Sequence, residues 1–285
     1  MALSSDSQQD ENTAHSTPSV KIPRLFHFDL PELEQTGNTL PEQREVSAPH
    51  RILDIASGNG EWVIRVAQAS PQTQMAGIDT DIELIEQARA QAEAKGVGNA
   101  SFIIMDPFQP LKFAEGTFDL VNARFLVGQL PVSTWPQVIT EFVRVTRPGG
   151  FVRLLEGELP ITNSPALAKL DGMLSDALYQ TKRSFSPYGR LLSITPALKH
   201  LLQDAGCQNV QQRVAVTNFS ADQSAHARLS QDMATTYRLV QPFLIEAGVT
   251  TQEEVEQVYQ QMLSELQAED FLAVAFWLTV WGNKP

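Results

Sequence analysis

This 285-residue chain has a single cysteine, no closely spaced histidines and no excess of positive charge. Cys207 is the single cysteine, so the chain can form neither an internal disulfide nor a cysteine-rich metal site. The five histidines lack metal-ligand spacing, so we predict no bound metal. Lys and Arg total 21 against 33 Asp and Glu, which gives a net charge of −12. Because an acidic surface repels nucleic acid and anionic bilayers, the sequence predicts neither as a partner.

Long apolar runs are missing as well. The longest, Phe271–Trp281, is too short to span a bilayer and is better explained as a buried strand. The first twenty residues are rich in Ser, Gln, Asp, Asn and Thr and contain no apolar segment typical of a secretory signal. We therefore expect a cytoplasmic protein that begins with a disordered tail over residues 1–21.

From Arg51 onward, short apolar strands alternate with amphipathic helices. Strands are predicted at Arg51–Ile55, Met75–Ile78, Phe102–Met105, Phe118–Val121 and Phe151–Leu155. This alternation predicts a doubly wound, parallel α/β sheet with right-handed crossovers. Thr80 and Glu83 predict a capping box for the second helix. Pro148–Gly150 predicts the end of the helix that precedes the fifth strand.

The segment Asp54–Gly60 links the first strand to the first helix and contains Gly58 and Gly60. Glycines let the backbone turn tightly and approach a ligand, and the helix N-terminus offers free amides to an anion. We expect a Cβ at either glycine to block the ligand while leaving the fold intact. A dinucleotide fold places a third glycine three residues after Gly60, where this chain has Val63. A nicotinamide enzyme therefore remains only as a disfavoured alternative.

Acidic residues end the second and third predicted strands. Asp79 follows the second strand, where a carboxylate accepts hydrogen bonds from both hydroxyls of a ribose. Asp106–Phe108 follows the third strand, where a carboxylate, a backbone amide and an apolar side chain can contact an adenine. Open α/β sheets bind ligands at these carboxyl ends of their strands, so the sequence predicts one nucleoside site there.

These motifs resemble the class I S-adenosylmethionine-dependent methyltransferases over residues 51–156. The segments Phe118–Leu130 and Trp281–Pro285 are similar to the small-molecule branch that includes ubiquinone/menaquinone-biosynthesis methyltransferases. The resemblance implies a Rossmann-like sheet of seven strands, the last antiparallel, with a helical cap. It also implies S-adenosylmethionine as cofactor, bound by Asp54, Ala56, Ser57, Gly58, Gly60, Asp79, Thr80, Asp106, Pro107, Phe108, Asn122 and Arg124.

The predicted reaction is direct SN2 transfer of a methyl group to a small, hydrophobic or aromatic acceptor. Positioning and a dry pocket suffice for an activated methyl, so a dedicated base is optional. Glu156, Glu158 and His27 are candidates for such a base, although glutamates in loops are more often solvated than catalytic. A methyltransferase-like fold that catalyses a cyclisation or rearrangement without consuming the cofactor is the alternative. Whether the chain forms a homodimer is left open.

The second half of the chain contains longer helices that we interpret as a cap over the sheet. One helix is predicted to open at Asn163 or Ser164 with Pro165 and to run to about Lys182, and two more are predicted over 221–247 and 251–267. The predicted organisation is a disordered tail (1–21), an N-terminal cap segment (22–50), a cofactor-binding core (51–159), a helical lid insertion (160–195), a core helix and strand (196–219), a second helical lid insertion (220–267) and a final core strand (268–285).

Overall fold

The structure is a computed structural model that describes Ile22, Arg24, Leu25 and residues 50–285. The strands are β1 (Arg51–Ile55), β2 (Gln74–Asp79), β3 (Ala100–Ile104), β4 (Phe118–Arg124), β5 (Thr146–Gly157), β6 (Ile161–Thr162), β7 (Gln208–Asn218) and β8 (Ala273–Asn283). The helices are α1 (Glu61–Ala69), α2 (Ile82–Ala94), α3 (Trp135–Val145), α4 (Pro165–Gln180), α5 (Leu198–Asp204), α6 (His226–Leu239), α7 (Gln241–Glu246) and α8 (Gln252–Glu265). The predicted tail over 1–21 lies outside the described residues.

The strands form one sheet in the order β3-β2-β1-β4-β5-β8-β6, and β7 pairs with β8. The first five strands of that order are parallel, whereas β8 runs antiparallel to β5, β6 and β7. The predicted α/β class and antiparallel last strand are therefore confirmed. The sheet has eight strands rather than seven, because the two-residue β6 pairs Ile161 with Val274 at one end of β8.

Apolar clusters on both faces hold the sheet between helices. On one face Ile52, Met75 and Phe102 are buried with apolar residues of α1 and α2. On the other face Leu53, Val121 and further strand residues are buried with α3, α4 and α5. Strands alternate the direction of successive side chains, so adjacent Ile52 and Leu53 serve opposite faces. This two-sided burial is the doubly wound arrangement that the alternating sequence predicted.

Two predicted helix boundaries were wrong. The cap of α2 is Asp81, whose carboxylate accepts hydrogen bonds from the amides of Glu83 (3.0 Å) and Leu84 (3.2 Å), whereas Thr80 is exposed. A short carboxylate at the first non-helical position satisfies two free helix amides, which the Thr80–Glu83 pair does not do here. Pro148–Gly150 lies near the start of the long strand β5, because α3 already ends at Val145.

The cap consists of α4, α6, α7 and α8, which contact one another. Ser164 caps α4 by accepting from the Leu167 amide at 3.0 Å, as the sequence predicted. The single helix predicted over 221–247 is instead split into α6 and α7. Pro242, in the first turn of α7, explains the break, because proline has no amide hydrogen and clashes with the preceding helical turn.

Candidate cofactor site at the carboxyl edge of the sheet

The glycine turn between β1 and α1 lies at the carboxyl edge, where the parallel strands end. Ala56, Gly58 and Gly60 all have positive φ, at 52°, 57° and 74°. Alanine rarely adopts such a conformation, so Ala56 is a strained residue at the predicted ligand site. Among the described residues, a Cβ built on Gly58 meets Arg24 Nη1 alone, at 3.5 Å, so this glycine faces the site.

Gly60 faces the protein interior instead. A Cβ on it would lie 2.4 Å from Phe102 Cε1 and 2.8 Å from the Ala88 side chain. Residues with a side chain would therefore disturb the packing of α1 against β3 and α2. The expectation that both glycines are needed only for the ligand was wrong for Gly60.

Asp79 lies at the end of β2 beside the glycine turn. Its Oδ2 accepts from the Gly58 amide at 2.9 Å, and its Oδ1 accepts from the Asp81 amide at 3.0 Å. A carboxylate has about four acceptor positions, so these two bonds leave capacity for two ligand hydroxyls. The two amides also fix the orientation of the carboxylate, which is the geometry expected of a ribose-binding residue.

Asp106–Phe108 forms a turn after β3 at the same edge. Asp106 Oδ1 accepts from the Phe108 amide at 2.9 Å, so the turn is stabilised by its own side chain. Phe108 is half-buried and lines a surface cleft of about 210 Å³ together with residues of α3. The structure thus brings the three sequence motifs, from β1, β2 and β3, to one edge of the sheet.

A buried polar row crosses the centre of the sheet beneath this edge. Asn122 Nδ2 donates to Asp54 Oδ1 at 2.6 Å, and Arg153 Nη1 donates to Asn122 Oδ1 at 2.7 Å. Arg124 Nη2 lies 3.8 Å from Asp54 Oδ2, and its guanidinium lies over the Trp62 ring at 5.0 Å. Asp54, Asn122 and Arg153 are register neighbours on β1, β4 and β5. Asn122 is thus fully buried and supports Asp54.

Glu156 and Glu158, the two glutamates proposed as bases, each bind backbone amides. Glu156 accepts from Leu126 at 2.7 Å and from Val127 at 3.3 Å, and so holds the loop after β4. Burial raises the pKa of Glu156 to about 8. Glu158 accepts from the amides of Ser193 (2.9 Å) and Thr195 (3.1 Å). A catalytic role for either stays a prediction, and His27 lies outside the described residues.

Arg24 is a residue of the site that sequence reasoning missed. Its Nη1 donates to the Ala56 carbonyl at 3.1 Å and its Nη2 to the Arg124 carbonyl at 2.5 Å. We call these two oxygens, at the ends of β1 and β4, the carbonyl pair. Burial, together with the charge of Arg124, lowers the pKa of Arg24 to about 10. No local pattern marks Arg24, because it stands in a proline-rich segment without periodicity.

Mostly apolar side chains from α6, β8 and the segments that follow β5 and β7 line a small space next to this edge. They enclose a cavity of about 10 Å³ lined by Glu158, Pro160, Phe219, Leu229, Met233, Ala275 and Trp277. Such a volume holds about one water molecule. Among residues 50–285 and the three described residues before them, no cluster of three metal-ligating side chains occurs. In the same residues no helix has the length and apolar character needed to cross a bilayer.

The fold and the site together define a Rossmann-like α/β protein whose carboxyl edge is built for a nucleoside cofactor. Residues 52–150 match a family model described as a methyltransferase domain. The matched segment makes up about a third of the chain. This match confirms the predicted family resemblance and supports S-adenosylmethionine as its cofactor.

Curated relatives match part of this chain. Demethylmenaquinone methyltransferase of Geobacillus kaustophilus is 32% identical over 111 residues, which cover 39% of this chain and 46% of that protein. The ubiquinone/menaquinone biosynthesis C-methyltransferase UbiE of Dinoroseobacter shibae is 30% identical over 123 residues, covering 43% of this chain and 47% of that protein. The chain thus spans about half the length of the curated relatives it matches.

Solved structures share the fold at low sequence identity. A protein of Bacillus halodurans C-125 superposes with a TM-score of 0.55 at 16% identity, covering 90% of this chain and 99% of that one. Phosphoethanolamine N-methyltransferase 2 of Haemonchus contortus, solved with phosphomonomethylethanolamine and S-adenosylhomocysteine, has a TM-score of 0.50 at 16% identity, covering 86% of this chain and 51% of that one. At this identity the likeness establishes the fold alone.

Proposed function

We propose that this protein transfers a methyl group from S-adenosylmethionine to a small hydrophobic or aromatic acceptor. The observation that carries the proposal is the convergence of the glycine turn, Asp79 and the carbonyl pair at one edge of the sheet. When bound, S-adenosylmethionine would supply a methyl group on its sulfonium, which an acceptor atom attacks while S-adenosylhomocysteine departs as the leaving group. The protein's part is to orient the two reactants and to exclude water.

The residues present suit the nucleoside part of this cofactor. Asp79 is oriented by two backbone amides and retains acceptor capacity for the ribose hydroxyls. Asp106 and Phe108 lie one strand further along the same edge, where we propose that they contact the adenine. Thr80 is exposed beside Asp79 and is proposed only as a peripheral contact.

The methionine part suits the turn after β1. Of the residues that the structure describes, the Arg24 guanidinium alone comes within 4 Å of a Cβ built on Gly58. Ser57 is buried, and its hydroxyl has no hydrogen-bond partner among the described residues. A buried unsatisfied hydroxyl is costly, so a ligand group that pairs with it would be favoured there. Asp54, held by Asn122, supports the same turn from below.

Apolar walls support a hydrophobic acceptor. Phe219, Leu229, Met233 and Trp277 bring apolar surface from the cap and β8 toward the carboxyl edge. The two curated relatives named above carry names that refer to quinone biosynthesis, which agrees with a ring-containing, lipophilic acceptor. The net charge of −12 also supports a small molecule over a nucleic acid.

Incubation with S-adenosylmethionine and a panel of lipophilic phenols and quinols tests the proposal. We expect S-adenosylhomocysteine to appear in step with a product that is heavier by one methylene, measured by mass spectrometry. Product formation without S-adenosylhomocysteine would contradict methyl transfer and favour a rearrangement. Heat-denatured protein serves as the control for uncatalysed methylation.

A further inference from the structure

Arg24 is held between the core and the cap. Its guanidinium binds the carbonyl pair in the core, whereas the carbonyl of the next residue, Leu25, accepts from Thr236 Oγ1 of α6 at 3.0 Å. The Leu25 side chain is buried, and both it and Leu178 of α4 pack against Gly128. The backbone beside Arg24 is therefore held against the cap, which keeps the guanidinium within reach of the site.

Negative groups surround this guanidinium. Asp54, Asp79 and Glu156 all act on Arg24 in the direction that favours its charged form. The neighbouring cation, Arg124, lies within 3.8 Å of Asp54 and over the Trp62 ring. An anionic group that enters this edge near neutral pH would therefore face the carboxylates of Asp54 and Asp79, with Arg24 as the cation placed to neutralise it.

One donor of Arg24 has no acceptor. The Nε atom is buried and has no hydrogen-bond partner among the described residues, although both terminal nitrogens are bonded. Guanidinium groups pair with carboxylates through two parallel hydrogen bonds. The unpaired donor favours a carboxylate ligand, and the Arg24 cation would offset the repulsion of that ligand by Asp54 and Asp79.

We propose that Arg24 pairs with the α-carboxylate of the bound cofactor and that the carbonyl pair receives the cofactor's α-ammonium. This inference rests on the proposed function, because S-adenosylmethionine and S-adenosylhomocysteine carry both groups. An ammonium donates hydrogen bonds and carries positive charge, as the guanidinium that now contacts the two carbonyls does. Arg24 then moves from the carbonyl pair to the carboxylate, which makes it a specificity-determining residue for the amino-acid end of the ligand.

Calorimetric binding of two ligands to wild type and to Arg24→Ala tests this inference. The ligands are S-adenosylhomocysteine and its methyl ester, which keeps the ammonium but lacks the carboxylate charge. We expect Arg24→Ala to weaken S-adenosylhomocysteine by about 10- to 100-fold, as for a charged hydrogen-bonded pair, and the ester by about threefold or less. Arg24→Lys should recover part of the loss, because it keeps the charge but not the paired geometry.

Arg147→Ala is the matched control. Arg147 pairs with Asp119 at 2.5 Å, at the opposite edge of the sheet. The backbone amides of His50 and Arg51 donate to the same carboxylate. This variant should leave both affinities unchanged. Circular dichroism and thermal unfolding check that each variant is folded.

Three outcomes would overturn the inference. Unchanged or tighter binding of S-adenosylhomocysteine by Arg24→Ala would show that Arg24 only fills the site in the free protein. An equal loss of both ligands would show a structural role without recognition of the carboxylate. Wild-type protein that binds neither ligand would reject the proposed function and this inference with it, whereas the first two results would leave the proposed function intact.

Discussion

The core and the cap of this molecule use different chemistry. At the carboxyl edge of the core, backbone groups provide much of the site: the amides of Gly58 and Asp81 orient Asp79, and the carbonyls of Ala56 and Arg124 bind a cation. The cap helices are instead joined through side chains: a buried apolar cluster, the ion pairs Lys169–Glu254 and Arg238–Glu256, and the Tyr237–Asp171 hydrogen bond. Backbone geometry depends on turn type rather than on individual side chains, so the core can be recognised across a family. The cap is where we expect the identity of the acceptor to be encoded.

The largest effect should come from the packing of the core. Gly60→Val places a branched side chain at φ 74°, against Phe102 and Ala88. We expect the free energy of unfolding to fall by roughly 3–5 kcal/mol, from overpacking plus backbone strain. Gly58→Ala is the control, with an expected loss of about 1 kcal/mol, because its Cβ enters open space. Urea unfolding measures both, and equal stabilities would contradict the distinct roles of the two glycines.

Removal of the Asp79 carboxylate should affect ligand binding at the core and leave the cap unchanged. Asp79→Ala should weaken S-adenosylhomocysteine binding by roughly 2–4 kcal/mol, through loss of charged hydrogen bonds to the ribose. Asp79→Asn, which keeps one acceptor oxygen, should lose less. Calorimetry that finds wild-type affinity in the alanine variant would remove Asp79 from the site.

The cap offers a matched pair of tyrosines. Tyr237 in α6 donates to the buried Asp171 of α4, whereas Tyr259 in α8 donates to the Ala234 carbonyl at 3.2 Å. Tyr237→Phe should lower the free energy of unfolding by roughly 1–3 kcal/mol, because it leaves a buried carboxyl group without its partner. Tyr259→Phe should cost less, about 1 kcal/mol. A larger effect of Tyr259→Phe would contradict the importance of the Asp171 link.

Stability should fall as the pH rises through the neutral range. Glu156 has a pKa near 8 in the folded protein because of burial, well above its ordinary value of 4.5. The folded state therefore binds an extra proton between about pH 4.5 and 8, and stability decreases by up to about 1.4 kcal/mol per pH unit in that window. Glu156→Gln should flatten this slope in urea titrations at several pH values. Part of the slope should remain in that variant, because burial also raises the pKa of Asp171, to about 7. An unchanged slope would refute the assignment to Glu156.

Chelation should have no effect. The described residues hold no cluster of three metal-ligating side chains, and the sequence predicts no metal site. Methyl transfer measured with and without EDTA should proceed at the same rate. Activity that is lost in EDTA and restored by magnesium would show that a metal takes part.

The strand ends of the core could be predicted because each motif is local in sequence. The glycine turn, Asp79 and Asp106–Phe108 each follow an apolar strand, and parallel strands bring their carboxyl ends together whatever the loops contain. The exceptions have local physical causes. Asp81 rather than Thr80 caps α2, and Pro242 breaks the helix predicted over 221–247.

Arg24, Arg153 and the cavity lining could not be predicted, because their contacts join distant parts of the chain. Arg24 donates to the carbonyl of Arg124, a hundred residues away in sequence, and Arg153 donates to Asn122 on the neighbouring strand. The sequence predicted that Gly60 faces the ligand, but in the structure a Cβ at this position would point at Phe102 of β3. Long-range side-chain contacts of this kind leave no periodic pattern.

Hydrogen exchange with and without S-adenosylhomocysteine tests most directly the claim that the cofactor binds at the carboxyl edge. We expect slower exchange of backbone amides in Ala56–Gly60, at Asp79–Asp81 and at Phe108, and unchanged exchange at the opposite edge around Arg51 and Arg147. Protection at the opposite edge, or tight binding without any protection in Ala56–Gly60, would contradict the account.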